Sequence, residues 1–306
     1  MIVAGDTLAR RQVGRGPLRG NVPPAEGIDD ADFHGTLASI WLWSRAQLVA
    51  GEARFGFSIG NAWAFVEQHW DRYIPRALDD AANEEAPYAC AMVLRAGLAT
   101  HAVSHSGDWR RYAEAAARLL SGYLGELEDV TGRGFQDPGF LAWNLGEYAR
   151  AVKDRGLQAA VARFVDKRLG MKLSNRFDEE PQSRGDLFDF SSTTAMRVLA
   201  VMAAEGETPF IGSWLRERIA PRIPATFVPR FSDENPWNAC VAVVAGRAFL
   251  ISTDERFRGA HENLIEVLLA RAGELDGGIG RAPGFPSETC ATFYFGLALD
   301  ALVRSS

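Results

Sequence analysis

From residue 32 onward, apolar and polar positions follow one pattern that recurs about every fifty residues. A short segment holding Gly, Pro or acidic residues leads into a helix that is apolar on nearly every face. A break follows, and then a helix whose apolar and charged residues alternate at helical spacing. The pattern predicts the first kind of helix at 33–50, 86–102, 138–152, 190–204, 235–251 and 287–303. It predicts the second kind at 61–78, 108–127, 156–169, 212–219 and 255–273. A period of this length is the mark of a helical-hairpin repeat.

Each apolar helix is opened by an acid: Asp32, Glu85, Asp137, Asp189, Glu234 and Glu288, at intervals of 45 to 54 residues. Carboxylates stabilise the positive end of a helix, and Pro87, Pro138 and Pro236 fall in first turns, where proline costs no hydrogen bond. Five of the six carry one Arg in their second half, the end that favours a cation: Arg45, Arg95, Arg150, Arg197 and Arg247. A helix apolar on all sides must be covered on all sides, and an amphipathic one covers it from outside. The expected fold is therefore all-α, an (α/α)6 toroid of about six helical hairpins with parallel inner helices and their acidic starts at one rim. An open solenoid is the alternative, and closure is preferred because no polar cap is evident at either end. Residues 1–28, rich in Gly, Pro and Arg, are expected to form an irregular arm ahead of a single toroid domain at 29–306. The last apolar helix lacks an amphipathic successor, and the arm is the candidate to take that place.

Composition narrows the partners. Apolar residues make up 47% and charged residues 24%, the mix of a soluble globular protein. The net charge is −6 and no run of Lys or Arg exceeds two, so neither nucleic acid nor an anionic membrane surface is an expected partner. Cys90, Cys240 and Cys290 are far apart and form no C-x-x-C pair, which argues against a disulfide framework or a zinc knuckle. They read as small buried residues in the first turns of apolar helices. No metal-binding spacing occurs among the histidines. The N-terminus lacks the pattern of a signal peptide, and no window is apolar enough to span a membrane, so a cytoplasmic location is expected.

The last repeat reads Asp276-Gly277-Gly278-Ile279-Gly280, then Pro283-Gly284-Phe285-Pro286-Ser287 and Thr292-Phe293-Tyr294-Phe295-Gly296-Leu297-Ala298-Leu299. This resembles the repeat of the protein prenyltransferase β-subunits and squalene–hopene cyclases, in which a D-G-G-F-like turn and a P-G-x-x-S loop precede a T-Y-x-x-L-A-L helix. Gly132-Arg133-Gly134-Phe135 is a weaker echo, and Thr194-Ala195-Met196 echoes the T-A-M of the cyclases. The resemblance implies a toroid whose cavity handles isoprenoid chains. It does not extend to the catalytic motifs: no Asp-x-Cys occurs, Ala291 stands where the zinc-binding His would fall, and no D-x-D-D is present. The nearest approaches are Asp29-Asp30-Ala31-Asp32 and Asp186-Leu187-Phe188-Asp189, and Asp79-Asp80-Ala81-Ala82-Asn83 has the outline of a class I D-D-x-x-D without its second metal motif.

The expected function is thus that of a terpenoid cyclase-like enzyme holding a small apolar or isoprenoid molecule. The candidate catalytic residues are the rim acids Asp32, Asp137, Asp186, Asp189, Asp233, Glu234 and Glu288, with His34 beside them. Carboxylates gathered in a low-dielectric mouth have their pKa values pushed apart, so that one donates a proton while another holds charge. The bland reading of each is a helix cap. Trp41, Tyr88, Trp143, Trp237 and Tyr294 are candidates to line the substrate cavity and stabilise a carbocation by cation–π attraction, or else to pack between helices. No resident metal is expected, and Mg²⁺ enters only if the substrate is a diphosphate. An intracellular carbohydrate-active (α/α)6 hydrolase or lyase, or a non-catalytic binding toroid, would use the same architecture.

Overall fold

The computed structural model describes residues 1–74, 85–104, 109–127, 138–170, 192–206, 209–223 and 234–302. Their regular structure is helical, with no strand among them and one isolated bridge between Ala25 and Glu288. In chain order the helices are α1 (Ile2–Arg11), α2 (Phe33–Ala50), α3 (Gly56–Tyr73), α4 (Ala86–Val103), α5 (Trp109–Glu126) and α6 (Pro138–Ala151). They continue as α7 (Arg155–Phe164), α8 (Ser192–Glu205), α9 (Pro209–Trp214), α10 (Asn235–Ser252), α11 (Glu255–Gly273) and α12 (Thr289–Asp300). None is long and apolar enough to cross a membrane among the described residues.

Two kinds of helix are visible, as the pattern requires. In α2, fourteen residues from Phe33 to Gln47 are buried on every face, and α4, α6 and α10 are covered in the same way. By contrast α3 buries only Ile59, Ala62, Phe65 and Val66, and α7 only Val161 and Phe164, one stripe each. Two amphipathic members start earlier than the pattern predicts, α3 at Gly56 and α9 at Pro209. Glycine and proline there weaken helix propensity and hide the start in the sequence. Both α7 and α9 end in wider π-helical turns, Val165–Gly170 and Leu215–Ile219.

The N-terminal arm is corrected. Ile2–Arg11 is a helix, and Ala4, Leu8 and Thr7 are buried on its inner face. The i, i+4 pair of Ala4 and Leu8 is the apolar stripe, but the interruption by Gly5 disguises it in the sequence. This helix is held by tertiary contacts: the Trp43 indole donates to the Gly5 carbonyl at 2.8 Å, and Thr7 donates to the Asp276 carbonyl at 2.7 Å.

The chain divides into two compact units, Met1–Tyr123 with Arg271–Gly296, and Leu124–Ala270 with Leu297–Ser306. In the first unit α2 packs on α4, α3 and α1. It also meets the start of α12: Trp41 sits edge-on to Phe293 at 5.2 Å, and a Cβ on Gly296 would collide with Leu42. The Thr289 amide and hydroxyl donate to the Pro24 and Pro23 carbonyls, at 2.8 and 2.6 Å. The first and last of the apolar helices are therefore neighbours. The Gly-rich turn ahead of α12 is tied to it as well, because the Thr292 hydroxyl accepts from the Ile279 amide at 3.1 Å.

In the second unit α8 packs between α6 and α10. The arginines near helix ends do more here than complement their own dipoles. Arg150 of α6 donates to the Ala203 and Met202 carbonyls at the end of α8, satisfying groups the helix itself leaves open. Arg216 does the same for the Ser252 carbonyl of α10 at 3.2 Å. His261 of α11 is buried with Nδ1 2.8 Å from the Ala242 carbonyl of α10, which makes it a packing residue.

Candidate functional site

The site is built on the first turn of α2. Asp32 is its N-cap: Oδ1 accepts from the Gly35 amide at 2.7 Å, and the His34 amide also favours its charged form. Glycine at 35 leaves room for the cap, since a Cβ there would push the Asp32 carboxylate out of its present position. The cap directs the next side chain, His34, toward the start of α4. There the imidazole lies 4.9 Å from the Tyr88 ring, tilted by 36°, with Nδ1 3.8 Å from the Glu85 carboxylate. Phe33 stacks on Tyr73 at 4.6 Å and meets His34 edge-on, so aromatic rings flank the pair.

Burial dominates the electrostatics. It pushes the Asp32 carboxyl above its ordinary value, helped by Glu85 and opposed by the Gly35 and His34 amides and the His34 charge. The same burial pushes His34 down, against the pull of Asp32 and Glu85 and of a hydrogen bond to the Glu85 backbone. His34 Nε2 is buried and has no hydrogen-bond partner. The Glu85 carboxylate faces Nδ1 at 3.8 Å, which favours the proton on Nδ1 and leaves the Nε2 lone pair open. Both groups are biased toward their neutral forms, one as an acid and the other as a base.

The start of α12 closes the cluster. Cys290, only partly covered as a residue, has its thiol pushed up to about 12 by burial; Asp32 and Glu288 add to the rise and a hydrogen bond with Tyr88 opposes it. Asp32, His34, Tyr88 and Glu288 of the expected site are thus brought together. Glu85 and Cys290 join them; Glu85 is marked in the sequence only as one of six equivalent helix starts. Of the three cysteines, Cys90 is fully buried with its thiol also pushed up to about 12, and Cys240 is buried in α10.

The other expected residues belong to further parts of the two units or lie outside the described residues. Asp137, Asp186, Asp189 and Asp233 belong to the latter group, as does the Asp79–Asn83 motif. Glu234 precedes α10, exposed, and makes no capping bond. Trp41 and Tyr294 are buried, and both rings pack against Phe293. Trp143 is buried edge-on to Phe140 in the second unit, and Trp237 is half-buried in the first turn of α10. Among the described residues no group of three His, Cys, Asp or Glu is arranged to hold a metal ion. Compared with protein-family models, curated proteins and solved structures, the chain matches none.

Proposed function

We propose that the protein is a terpenoid cyclase-like enzyme, which rearranges an isoprenoid chain by proton transfer at the Asp32–His34 cluster. The observation that carries this reading is a half-buried carboxyl biased toward its acid form beside an imidazole whose Nε2 is unpartnered, with Tyr88 against it. Asp32 gives its proton to one alkene carbon of the substrate, leaving a carbocation on the other. The neighbouring aromatic faces stabilise that charge. His34 Nε2 then removes a proton from an adjacent carbon and restores an alkene. The imidazolium returns a proton to Asp32, so the cycle needs no oxidant or reductant.

The architecture supports the same reading. Contact between α2 and the start of α12 is what a closed (α/α)6 ring requires, whereas an open solenoid would hold its first and last apolar helices apart. No step is routed through Mg²⁺, because Asp32 Oδ1 is already engaged by the Gly35 amide and no described trio of ligands stands beside it.

The test is incubation of the purified protein with squalene and a panel of prenyl diphosphates, followed by product analysis. A cyclised or isomerised product is expected. Asp32→Asn and His34→Ala should each lower turnover by about 10² or more, the usual contribution of general acid–base groups. Absence of both binding and product would overturn the proposal, and cleavage of an oligosaccharide in a parallel arm would replace it with the carbohydrate-active alternative.

A further inference from the structure

A cavity of about 550 Å³ lies in the first unit, lined by the last turns of α1, the 23–29 segment, the turn after α11 and residues 286–287. None of the Asp32–His34 cluster lines it, so what it binds is independent of the proton chemistry proposed above. Its size is that of a small-molecule site.

The lining has two signs. Thr7 and Ser287 are buried hydroxyls, and α1 contributes Arg10 and Arg11. Arg10 is held in place by a bond to Thr7 Oγ1 at 3.1 Å, and Thr7 is in turn anchored on the Asp276 carbonyl. Arg11 is half-buried, and its Nη1 is covered without any acceptor. Glu26 attracts its charge through space while Arg10 repels it. A guanidinium has five donors in a rigid fork suited to a carboxylate or phosphate, and leaving them unused in a partly buried position is costly. The same lining carries four exposed acids, Glu26, Asp29, Glu274 and Asp276.

A simple anion would meet the arginines but be repelled by four carboxylates. A simple cation would meet the acids but be repelled by two guanidinium groups. A molecule carrying both charges satisfies both signs of the lining. We propose that this cavity binds a small zwitterion of dipeptide size, its carboxylate on Arg11 and Arg10 and its ammonium at the Glu26–Asp29–Glu274–Asp276 rim.

The experiment is calorimetric titration of the full chain with a set of free dipeptides, each compared with its N-acetylated form and its C-terminal amide. Saturable binding of at least one free dipeptide is expected, weakened tenfold or more by either modification. Arg11→Gln should weaken the free dipeptide by tenfold or more, with far-UV circular dichroism unchanged. Glu274→Gln sits on the exposed rim and keeps the test open if the first variant unfolds. It should weaken the free dipeptide but leave binding of the acetylated form unaltered. Failure of every dipeptide to bind would overturn the proposal, as would equal affinity for the capped forms. Inorganic phosphate binding as tightly as any dipeptide would show a plain anion site and also overturn it.

Discussion

The starts of α2 and α10 carry the same signal and end differently. Asp32 and Glu234 both precede a long helix apolar on all faces. Asp32 bonds to the Gly35 amide and is half-buried beside His34, Glu85 and Cys290. Glu234 stays exposed, with no capping bond from its side chain. One reason is reach: the shorter Asp side chain fits the N-cap geometry, and Glu is not a favoured N-cap. The other is what surrounds it, since α4 and α12 cover Asp32. A helix-start acid becomes chemically unusual only where other elements take away its water.

The strongest way to break this contrast is Gly35→Ala. The new methyl collides with the Asp32 carboxylate, so the cap and the local packing are lost together. A cost of about 3 kcal/mol is expected, read from urea unfolding, by combining a lost cap with overpacking. A loss below about 0.5 kcal/mol would mean that the cap is not formed in solution.

Next in size is the pair Asp32→Ala and Glu234→Ala. The first removes a capping acceptor and should cost about 1 kcal/mol. The second touches no such bond and should stay within about 0.5 kcal/mol of wild type. Equal effects at the two positions would erase the comparison.

Stability against pH sharpens it further. Asp32 is raised above 3.8, so between that value and its folded one the folded state holds more protons than the unfolded. Stability therefore falls as pH rises through that window. His34 is lowered below 6.5, so the unfolded state holds more protons between the folded value and 6.5, and stability falls as pH drops through that range. Asp32→Asn keeps an acceptor for the cap and removes the first effect. It should gain stability relative to wild type at pH 7 and lose that gain near pH 3, measured by thermal unfolding across pH. A gain independent of pH would contradict the assigned direction for Asp32.

The smallest expected effect concerns Cys290. With its thiol at about 12, almost no thiolate exists at pH 8, so iodoacetamide should label it far more slowly in the native protein than in urea. Rapid native labelling would show that the cluster is wetter than described.

Much of the fold is legible in the sequence because burial on every face is written residue by residue. The limits of α2 at Phe33 and Ala50 and of α11 at Glu255 and Gly273 coincide with the spans predicted from apolar spacing. Helix α1 escaped because its stripe is short, is broken by Gly5, and is stabilised by Trp43 and Asp276 from distant segments. The site was legible only in part. Local sequence marks Asp32 and Glu234 alike, and what separates them comes from Glu85, Tyr88 and Cys290, far along the chain. The dual-sign cavity was missed for the same reason: Arg11 and Glu274 become neighbours only through tertiary structure.

The bond from Thr289 to Pro23 joins residues 266 positions apart, and it has a consequence for birth on the ribosome. The face of α2 that receives Phe293 and Gly296 has no cover until α12 is made. At about 5–20 residues per second, that face stays open for some tens of seconds of translation. A nascent chain in this state presents Trp41 and Leu42 to whatever binds apolar surface in the cell. Synthesis in a chaperone-free extract should therefore release more aggregate than the same extract supplemented with a general holdase, and slower translation should widen the gap.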